Sequence, residues 1–248
     1  MNTILIGGTG LIGSHTIQLF SRFFPQDKLI CPVRSIPKET SPSEIKNKKS
    51  QSSIEYVVFD FENEKSLQKL NWKNVDSIIC TLGTKIKKAG SQENFEKVDY
   101  HYPLLFAQAA KKQKIPFYSI VTAMGSDANS AIFYNRVKGR LEEELAKLEL
   151  SHLSIFQPSL LMGDRAEMRT GEEIGKFVSK VFPFGIFGIE KYRPIEGRSV
   201  ALAILQKLKH GKEELAHQAK IKNSKKNSVS AKVAIYESDA IAEIAKGV

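Results

Sequence analysis

Two residues four positions apart, Tyr134 and Lys138, have side chains that together could move a proton. The stretch around them is rich in Leu, Glu, Lys and Ala, which predicts a helix over 131–149. Residues four apart lie on one face of a helix, so the phenol and the ammonium group can converge on one site. A free tyrosine loses its proton only near pH ~10, but a neighbouring lysine cation favours the phenolate. We therefore expect the pair to pass a proton to or from a carbonyl or alcohol group.

A third group should polarise the substrate oxygen, and two hydroxyls before this helix are candidates. Thr122 ends a predicted strand, at the edge where sites in open α/β sheets lie. Ser126 is the alternative, although it could equally be a loop hydroxyl or a helix cap. We favour Thr122 because of its position at the strand end.

A glycine-rich turn follows the first predicted strand and opens the first predicted helix. Gly7, Gly10 and Gly13 form the pattern G-x-x-G-x-x-G. Their missing side chains allow a tight turn, the close approach of a pyrophosphate, and close packing of the helix on the sheet. Free N–H groups at the positive end of the helix then meet the phosphates. The residues expected to bind the dinucleotide here are Gly7, Thr9, Gly10, Leu11, Ile12 and Gly13.

The end of the second predicted strand distinguishes the two nicotinamide dinucleotides. An acidic residue there bonds the ribose 2′-hydroxyl of NAD, whereas an arginine pairs with the 2′-phosphate of NADP. The sequence has Arg34 and Ser35 at this point, with Lys38 nearby and no acidic residue before Glu39. We therefore predict NADP(H) as the cofactor, with NAD(H) as the less favoured alternative.

The elements that must position these residues alternate along the chain. Apolar runs predict strands at 3–7, 28–33, 54–59, 75–82, 117–122 and 152–157, and helical patterns lie between most of them. One helix is predicted from 92 to 112, with a possible kink at Pro103. Such alternation predicts an α/β fold: a Rossmann-like, doubly wound parallel sheet covered by helices on both faces.

After Pro158 the pattern loosens, and only two further helices, at 197–208 and 238–246, are predicted. We expect a single domain over 1–248. Residues 1–158 would form the dinucleotide-binding core and residues 159–248 a smaller C-terminal substrate lobe. Five aromatic residues in this lobe could wall a substrate pocket, although we favour a place in the core: Phe177, Phe182, Phe184, Phe187 and Tyr192.

The composition of the chain indicates which binding partners and which cellular compartment to expect. The net charge of +10 arises partly from a lysine-rich C-terminal stretch, which we interpret as a solvated tail. No aromatic residues interleave with these lysines, so nucleic-acid binding is not favoured. With two cysteines and neither a signal peptide nor a long apolar run in this sequence, we expect a cytoplasmic protein without a membrane span. The five histidines show no metal-ligand spacing, so we predict no metal.

Taken together, these residues resemble the short-chain dehydrogenase/reductase superfamily, most closely the atypical branch of Tat-interacting oxidoreductase-like proteins. The resemblance runs over roughly residues 1–210. The stretches that carry it are Gly7–Gly13, Cys80–Thr84, Lys88–Gly90, Phe95–Asp99, Tyr134–Gly139, and Pro158 with Gly163–Arg165.

The resemblance implies a Rossmann fold, NADP(H) binding and oxidoreductase activity. It implies that Asp60 and Phe61 flank the adenine and that Lys138 also holds the nicotinamide ribose. Further cofactor contacts implied by the resemblance are Thr81, Leu82, Gly83 and Thr84 along its middle, and Pro158, Ser159 and Leu160 over the nicotinamide.

Two departures from the superfamily pattern bear on activity. Most relatives have serine at the polarising position, whereas this strand ends in Thr122 and Ala123. Asp99 stands where asparagine is common, although aspartate fits this branch. Two functions therefore stay open: an NADP(H)-dependent oxidoreductase for a small carbonyl or alcohol substrate, and an NADP(H)-sensing regulatory or scaffold protein with a protein partner and little or no turnover. The sequence specifies neither the substrate nor whether the chain forms an oligomer.

Overall fold

The structure, a computed structural model, describes residues 1–37, 53–162, 193–221 and 231–247, with side chains described for all of these except 219–221. The strands are β1 (Asn2–Ile6), β2 (Lys28–Val33), β3 (Ser53–Val58), β4 (Val75–Cys80), β5 (Phe117–Val121), β6 (His152–Gln157), β7 (Leu161–Met162), β8 (Ile195–Glu196) and β9 (Lys232–Glu237). Seven of them form one parallel sheet in the order β3-β2-β1-β4-β5-β6-β9, and β7 pairs with β8. The order reverses between β1 and β4, and such a switch point opens a crevice at the carboxyl ends of the strands.

Helices cover both faces of the sheet. They are α1 (Leu11–Phe23), α2 (Ile86–Ala89), α3 (Gln92–Glu96), α4 (Tyr102–Lys112), α5 (Phe133–Lys147), α6 (Gly197–Ile221) and α7 (Ser238–Lys246), with a 3₁₀ helix at Glu64–Lys69. One apolar core lies between the sheet and α1, α6 and α7, and includes Leu5, Phe20 and Ile204. The other, between the sheet and α4 and α5, includes Ile4 and Phe106. Adjacent residues of one strand thus enter opposite cores, which explains the continuous apolar runs and confirms the predicted doubly wound α/β fold.

All six predicted strands are present, with ends within two residues of the prediction. Sequence reasoning missed β9, the edge strand beside β6. Val233 and Ile235 on this strand are about half exposed, and only Tyr236 stacks closely on the sheet, 5.0 Å from the Phe156 ring. The strand does contain a short apolar run, Val233–Tyr236, but this run follows a lysine-rich stretch and was not interpreted as a strand. The C-terminal residues that the structure describes therefore extend the central sheet; residues 163–192, with the five aromatic residues named above, lie outside the description.

The helix predicted over 92–112 is interrupted by a π-helical turn, Lys97–His101, between α3 and α4. Pro103 follows within the first turn of α4. In a regular α-helix its ring would clash with the carbonyl of residue 99, four positions earlier. The wider π-helical turn accommodates the proline, and such turns are frequent at functional sites. It carries Asp99, whose side chain is only 1% exposed.

The lysine-rich stretch is partly helical, because α6 continues to Ile221 and not only to the predicted end at 208. Lys212 on this helix is only 12% exposed; its Nζ atom lies 2.8 Å from Asp76 and 3.3 Å from Asp27. The same ammonium group lies 4.7 Å from the centre of the Phe24 ring. This lysine is therefore a structural cation and not part of a solvated tail. No helix in the described part of the chain is long and apolar enough to cross a membrane.

Candidate functional site

The glycine turn lies at the switch point, against the end of β4. Gly7 has a φ of +84°, and a Cβ atom there would lie 2.7 Å from the carbonyl carbon of Thr81. A Cβ atom at Gly13 would lie 2.1 Å from the carbonyl oxygen of Gly7. The Gly10 N–H donates to that same oxygen over 2.8 Å. A Cβ atom at Gly10 would lie 3.0 Å from the same oxygen, so backbone atoms crowd all three glycine positions.

The N-terminus of α1 has the features that a pyrophosphate requires. Gly10 occupies the N-cap, no side chain caps the helix, and no acidic residue stands in its first turn. The first N–H groups of a helix have no intrahelical carbonyl partner, and they mark its positive end. The N–H groups of Leu11, Ile12 and Gly13 can therefore receive phosphate oxygens, with Thr9 exposed beside them. The turn fits the predicted dinucleotide.

The residues expected at the adenosine end follow β2 and β3. Arg34, Ser35 and Asp60 are exposed, whereas Lys38 lies outside the described residues. Phe61 packs edge-on against Phe59, with ring centroids 4.8 Å apart, and against Tyr102 at 5.3 Å.

Sequence reasoning missed Tyr102, which is brought to this end from α4. Its hydroxyl donates a hydrogen bond to Glu62. Burial and this hydrogen bond raise the pKa of Tyr102, while the nearby charge of Arg34 opposes the shift. No local pattern marks Tyr102, because it is brought here by the packing of α4 against Phe59 and Phe61, which follow β3.

The middle of the site is organised by a buried ion pair. The Nζ atom of Lys138 lies 2.8 Å from Oδ1 of Asp99, and the two side chains are 2% and 1% exposed. Oδ2 of Asp99 accepts a hydrogen bond of 2.9 Å from the Thr84 N–H, in the loop after β4. Burial acts to lower the pKa of Lys138, but attraction to Asp99, helped by Tyr134, outweighs it and raises that pKa overall. The lysine is therefore held as a cation.

The predicted proton-transfer residue, Tyr134, lies one turn before Lys138 on α5. It is half-buried, and its ring lies 5.5 Å from Phe95 on α3. The charge of the Tyr134 phenolate would favour the Lys138 cation and contributes to the raised pKa of Lys138. The two residues lie one turn apart on α5, and their role as a proton-transfer pair stays a prediction.

The two candidate polarising hydroxyls have other partners. Thr122 donates to Oε1 of Glu142 over 2.5 Å, and Ser126 donates to the carbonyl oxygen of Ala123 over 2.7 Å. A hydroxyl has one proton, so neither group in this arrangement has one left for a substrate oxygen. In this ligand-free arrangement the Thr122 hydroxyl is therefore directed to Glu142, and its predicted role toward a substrate oxygen stays a prediction.

Glu142, two turns after Tyr134, was also missed by sequence reasoning. Besides Thr122, it accepts hydrogen bonds from Nε2 of Gln157 on both carboxylate oxygens, at 3.0 and 2.8 Å. Burial raises the pKa of Glu142, and hydrogen bonds from Thr122 and Gln157 partly offset the rise. Its spacing from Lys138 could have indicated the shared helix face, but its partners are Thr122, directly after β5, and Gln157, at the end of β6.

The segment predicted to cover the nicotinamide begins with the buried Pro158. Ser159 donates to the carbonyl oxygen of Arg193 and shares a 2.9 Å hydrogen bond with Ser238 at the start of α7. The Leu160 carbonyl oxygen accepts from the Ile195 N–H over 2.9 Å. These bonds connect the segment to the C-terminal part of the chain. Among the residues that the structure describes, no three His, Cys, Asp or Glu side chains are grouped to hold a metal.

This sheet, covered by helices on both faces and with a glycine turn at its switch point, defines a Rossmann-type α/β protein. The fold is shared with the UDP-glucose 4-epimerase of Bifidobacterium longum, solved in complex with NAD+ and UDP. The TM-score is 0.64 at 12% sequence identity, over 95% of this chain and 77% of the epimerase. At this identity the likeness establishes the fold alone.

The chain belongs to the HIM1 family, whose model matches residues 44–183. It is 32% identical to protein FMP52, mitochondrial, of Candida albicans, over 67% of this chain and 70% of that protein. It is 36% identical to protein HTATIP2 of Rattus norvegicus, over 40% of each chain. The predicted resemblance to the Tat-interacting, atypical branch is thereby confirmed.

The comparisons correct the expected compartment. The FMP52 proteins of Candida albicans, Scheffersomyces stipitis, Eremothecium gossypii and Emericella nidulans are all named mitochondrial. The expectation of a cytoplasmic protein, which depended on the lack of a visible targeting segment, is therefore wrong.

Proposed function

We propose that this protein is an NADP(H)-dependent oxidoreductase that acts on a small carbonyl or alcohol substrate. The observation that carries the proposal is the neighbouring pair on α5, a half-buried Tyr134 and a fully buried, cationic Lys138. A phenol beside a fixed cation is suited to exchanging a proton with a substrate oxygen near neutral pH.

Each part of the site has a role in this proposal. The glycine turn would hold the pyrophosphate, and Arg34 with Ser35 would hold the 2′-phosphate. The nicotinamide, when bound, supplies or accepts hydride. Tyr134 exchanges the accompanying proton with the substrate oxygen, while the Lys138 cation stabilises its phenolate and can donate to the nicotinamide ribose. The NAD-bound epimerase of the same fold supports a nicotinamide cofactor.

The test is the substitution Tyr134→Phe, assayed for both NADPH affinity and turnover on a panel of small aldehydes, ketones and alcohols. General acid–base catalysis typically contributes about 10²–10⁴-fold, so turnover should fall by that factor while NADPH affinity stays within about twofold. Tyr100→Phe is the matched control, because Tyr100 contacts Arg140 outside the pair, at 4.9 Å. Unchanged turnover in Tyr134→Phe would refute the proton-transfer role.

A second candidate function, an NADP(H)-sensing regulatory protein with a protein partner, is favoured by one observation. The hydroxyls of Thr122 and Ser126 are both committed to acceptors within the protein, and Ala123 has none. In this function the wild-type protein shows no turnover on the panel, and capture of a partner varies with NADPH concentration. Partner capture that does not change with NADPH concentration would argue against the regulatory function.

We also propose a mitochondrial location, supported by the names of the FMP52 relatives. Fractionation of cells that express the tagged full chain should place it with a mitochondrial marker. Recovery with a cytosolic marker instead would contradict this location.

A further inference from the structure

Asp99 is one carboxylate that joins three separate parts of the site. Oδ1 pairs with Lys138 on α5, Oδ2 accepts from the Thr84 N–H after β4, and the residue itself stands on the π-helical turn before α4. A Cβ atom at Gly83 would approach Oδ1 to 3.4 Å, so the carboxylate fills the space between loop and helix. The tyrosine–lysine pair alone does not account for such a buried acid.

The groups around Lys138 show which of them can compensate its buried positive charge. A lysine that is only 2% exposed pays a desolvation penalty that favours its neutral form. The titratable groups that face it are Asp99 on the π-helical turn, Tyr134 and Glu142 on α5, and Cys80 on β4. Burial raises the pKa of the Cys80 thiol to about 11, so this thiol carries no charge at neutral pH.

Glu142 satisfies its carboxylate with Thr122 and Gln157. Among the described residues, Asp99 is therefore the acid in ion-pair contact with Lys138.

We propose that Asp99 is a positioning residue that keeps Lys138 both cationic and fixed in its buried place before any cofactor binds. The effect on Tyr134 follows and rests on the proposed oxidoreductase function: the phenol then has a defined cation beside it in the free protein. The cofactor need not assemble the pair. Without the carboxylate, the site gains one positive charge. Whichever of Tyr134 and Lys138 loses a proton first would then lose it at lower pH, because interacting groups titrate as a pair.

The substitution Asp99→Asn tests this inference with little change of shape, because the amide oxygen can still accept from Thr84. The charge of Lys138 is followed by NMR of the lysine Cε and Nζ nuclei across a pH titration, and Lys138→Arg identifies its signal. We expect Lys138 in the wild-type protein to stay protonated up to a pH at least as high as that at which exposed lysines lose their protons. In Asp99→Asn the first proton loss of the pair should move down by about 1–3 pH units, a 10- to 1000-fold change in proton affinity. Tyrosinate absorbance, compared with and without Tyr134→Phe, shows whether the phenol is the group that titrates.

Asp76→Asn is the matched control, because Asp76 also pairs with a largely buried lysine, Lys212, at 2.8 Å. It should lower the melting temperature and leave the Lys138 titration unchanged. If Asp99→Asn lowers the melting temperature but both Lys138 and Tyr134 titrate as in the wild type, the carboxylate has only a structural role and the proposal is overturned.

If Asp99→Asn does not fold, the wild-type titration decides. Loss of the Lys138 proton at a lower pH than that of exposed lysines overturns the proposal, and loss at a higher pH supports it. The measurement needs no substrate, so it fails separately from the proposed function. Absence of turnover would reject the oxidoreductase function without affecting the proposal for Asp99. A titration unchanged in Asp99→Asn would reject the proposal for Asp99 without affecting the oxidoreductase function.

Discussion

Gly13 is the position at which a single methyl group tests the packing of α1 on β1. A Cβ atom there would lie 2.1 Å from the Gly7 carbonyl oxygen and 2.7 Å from the Gly8 Cα atom. Ordinary contact begins near 3.4 Å, so α1 would have to move away by roughly 1 Å. Both obstacles are backbone, and α1 also packs against α6, so its movement would disturb that contact. Overpacking costs about 1–3 kcal/mol, and we expect Gly13→Ala to lose close to 3 kcal/mol of unfolding free energy.

The assay is thermal unfolding of the ligand-free protein. For a chain of this size each kcal/mol shifts the melting temperature by about 2–4 °C, so Gly13→Ala should melt about 6–12 °C lower. Gly8→Ala is the control in the same turn. Its Cβ atom would first meet the end of the Ile17 side chain, at 3.1 Å, which can rotate away. We expect it to lose less than about 1 kcal/mol. A Gly13→Ala protein that melts within about 2 °C of the wild type would refute the reasoning.

Three further predictions concern other contacts. Lys212→Ala leaves two carboxylates without their cation and should lower the unfolding free energy, measured by chemical denaturation, by about 2–4 kcal/mol. The control Lys209→Ala removes a half-exposed lysine from the same helix and should lower it by less than about 0.5 kcal/mol. Equal losses in the two variants would contradict a structural role for Lys212. Because burial raises the pKa of Glu142, the folded state binds this proton more tightly than the unfolded chain, and the resulting stability is lost as pH rises from the ordinary carboxyl pKa through the raised one. Glu142→Gln removes this pH dependence, so the unfolding free energy of the variant, relative to that of the wild type, should increase as pH rises. A difference in unfolding free energy that stays constant with pH would contradict the prediction. Arg34→Ala should weaken NADPH binding about 10- to 100-fold in a fluorescence titration and leave NADH binding unchanged, and an equal loss for both would reject the 2′-phosphate role.

Local spacing predicted the parts of the site that one element supplies. The three glycines act within a single strand–turn–helix unit, and the Tyr134–Lys138 pair acts within one helix. In both cases the geometry of the backbone converts sequence distance directly into spatial distance. The buried strands were predictable for the same reason, because a strand with helices on both faces must be apolar throughout.

Contacts between elements could not be predicted in this way. Asp99 reaches Lys138 only because the π-helical turn before Pro103 packs against α5. The hydrogen bond from Thr122 to Glu142 could not be predicted either, since it forms where a strand end and a helix face meet.

The sequence by itself determined the alternation of strands and helices, the glycine-rich turn before α1 and the spacing of Tyr134 and Lys138, because each depends on a short-range period of the backbone. Only the tertiary structure decided which buried charges meet, that β9 completes the sheet edge, and that Lys212 is a structural cation. The physical reason is that burial and pairing depend on which elements pack together. A side chain's charge state and partner are therefore properties of the assembled core and not of the local sequence.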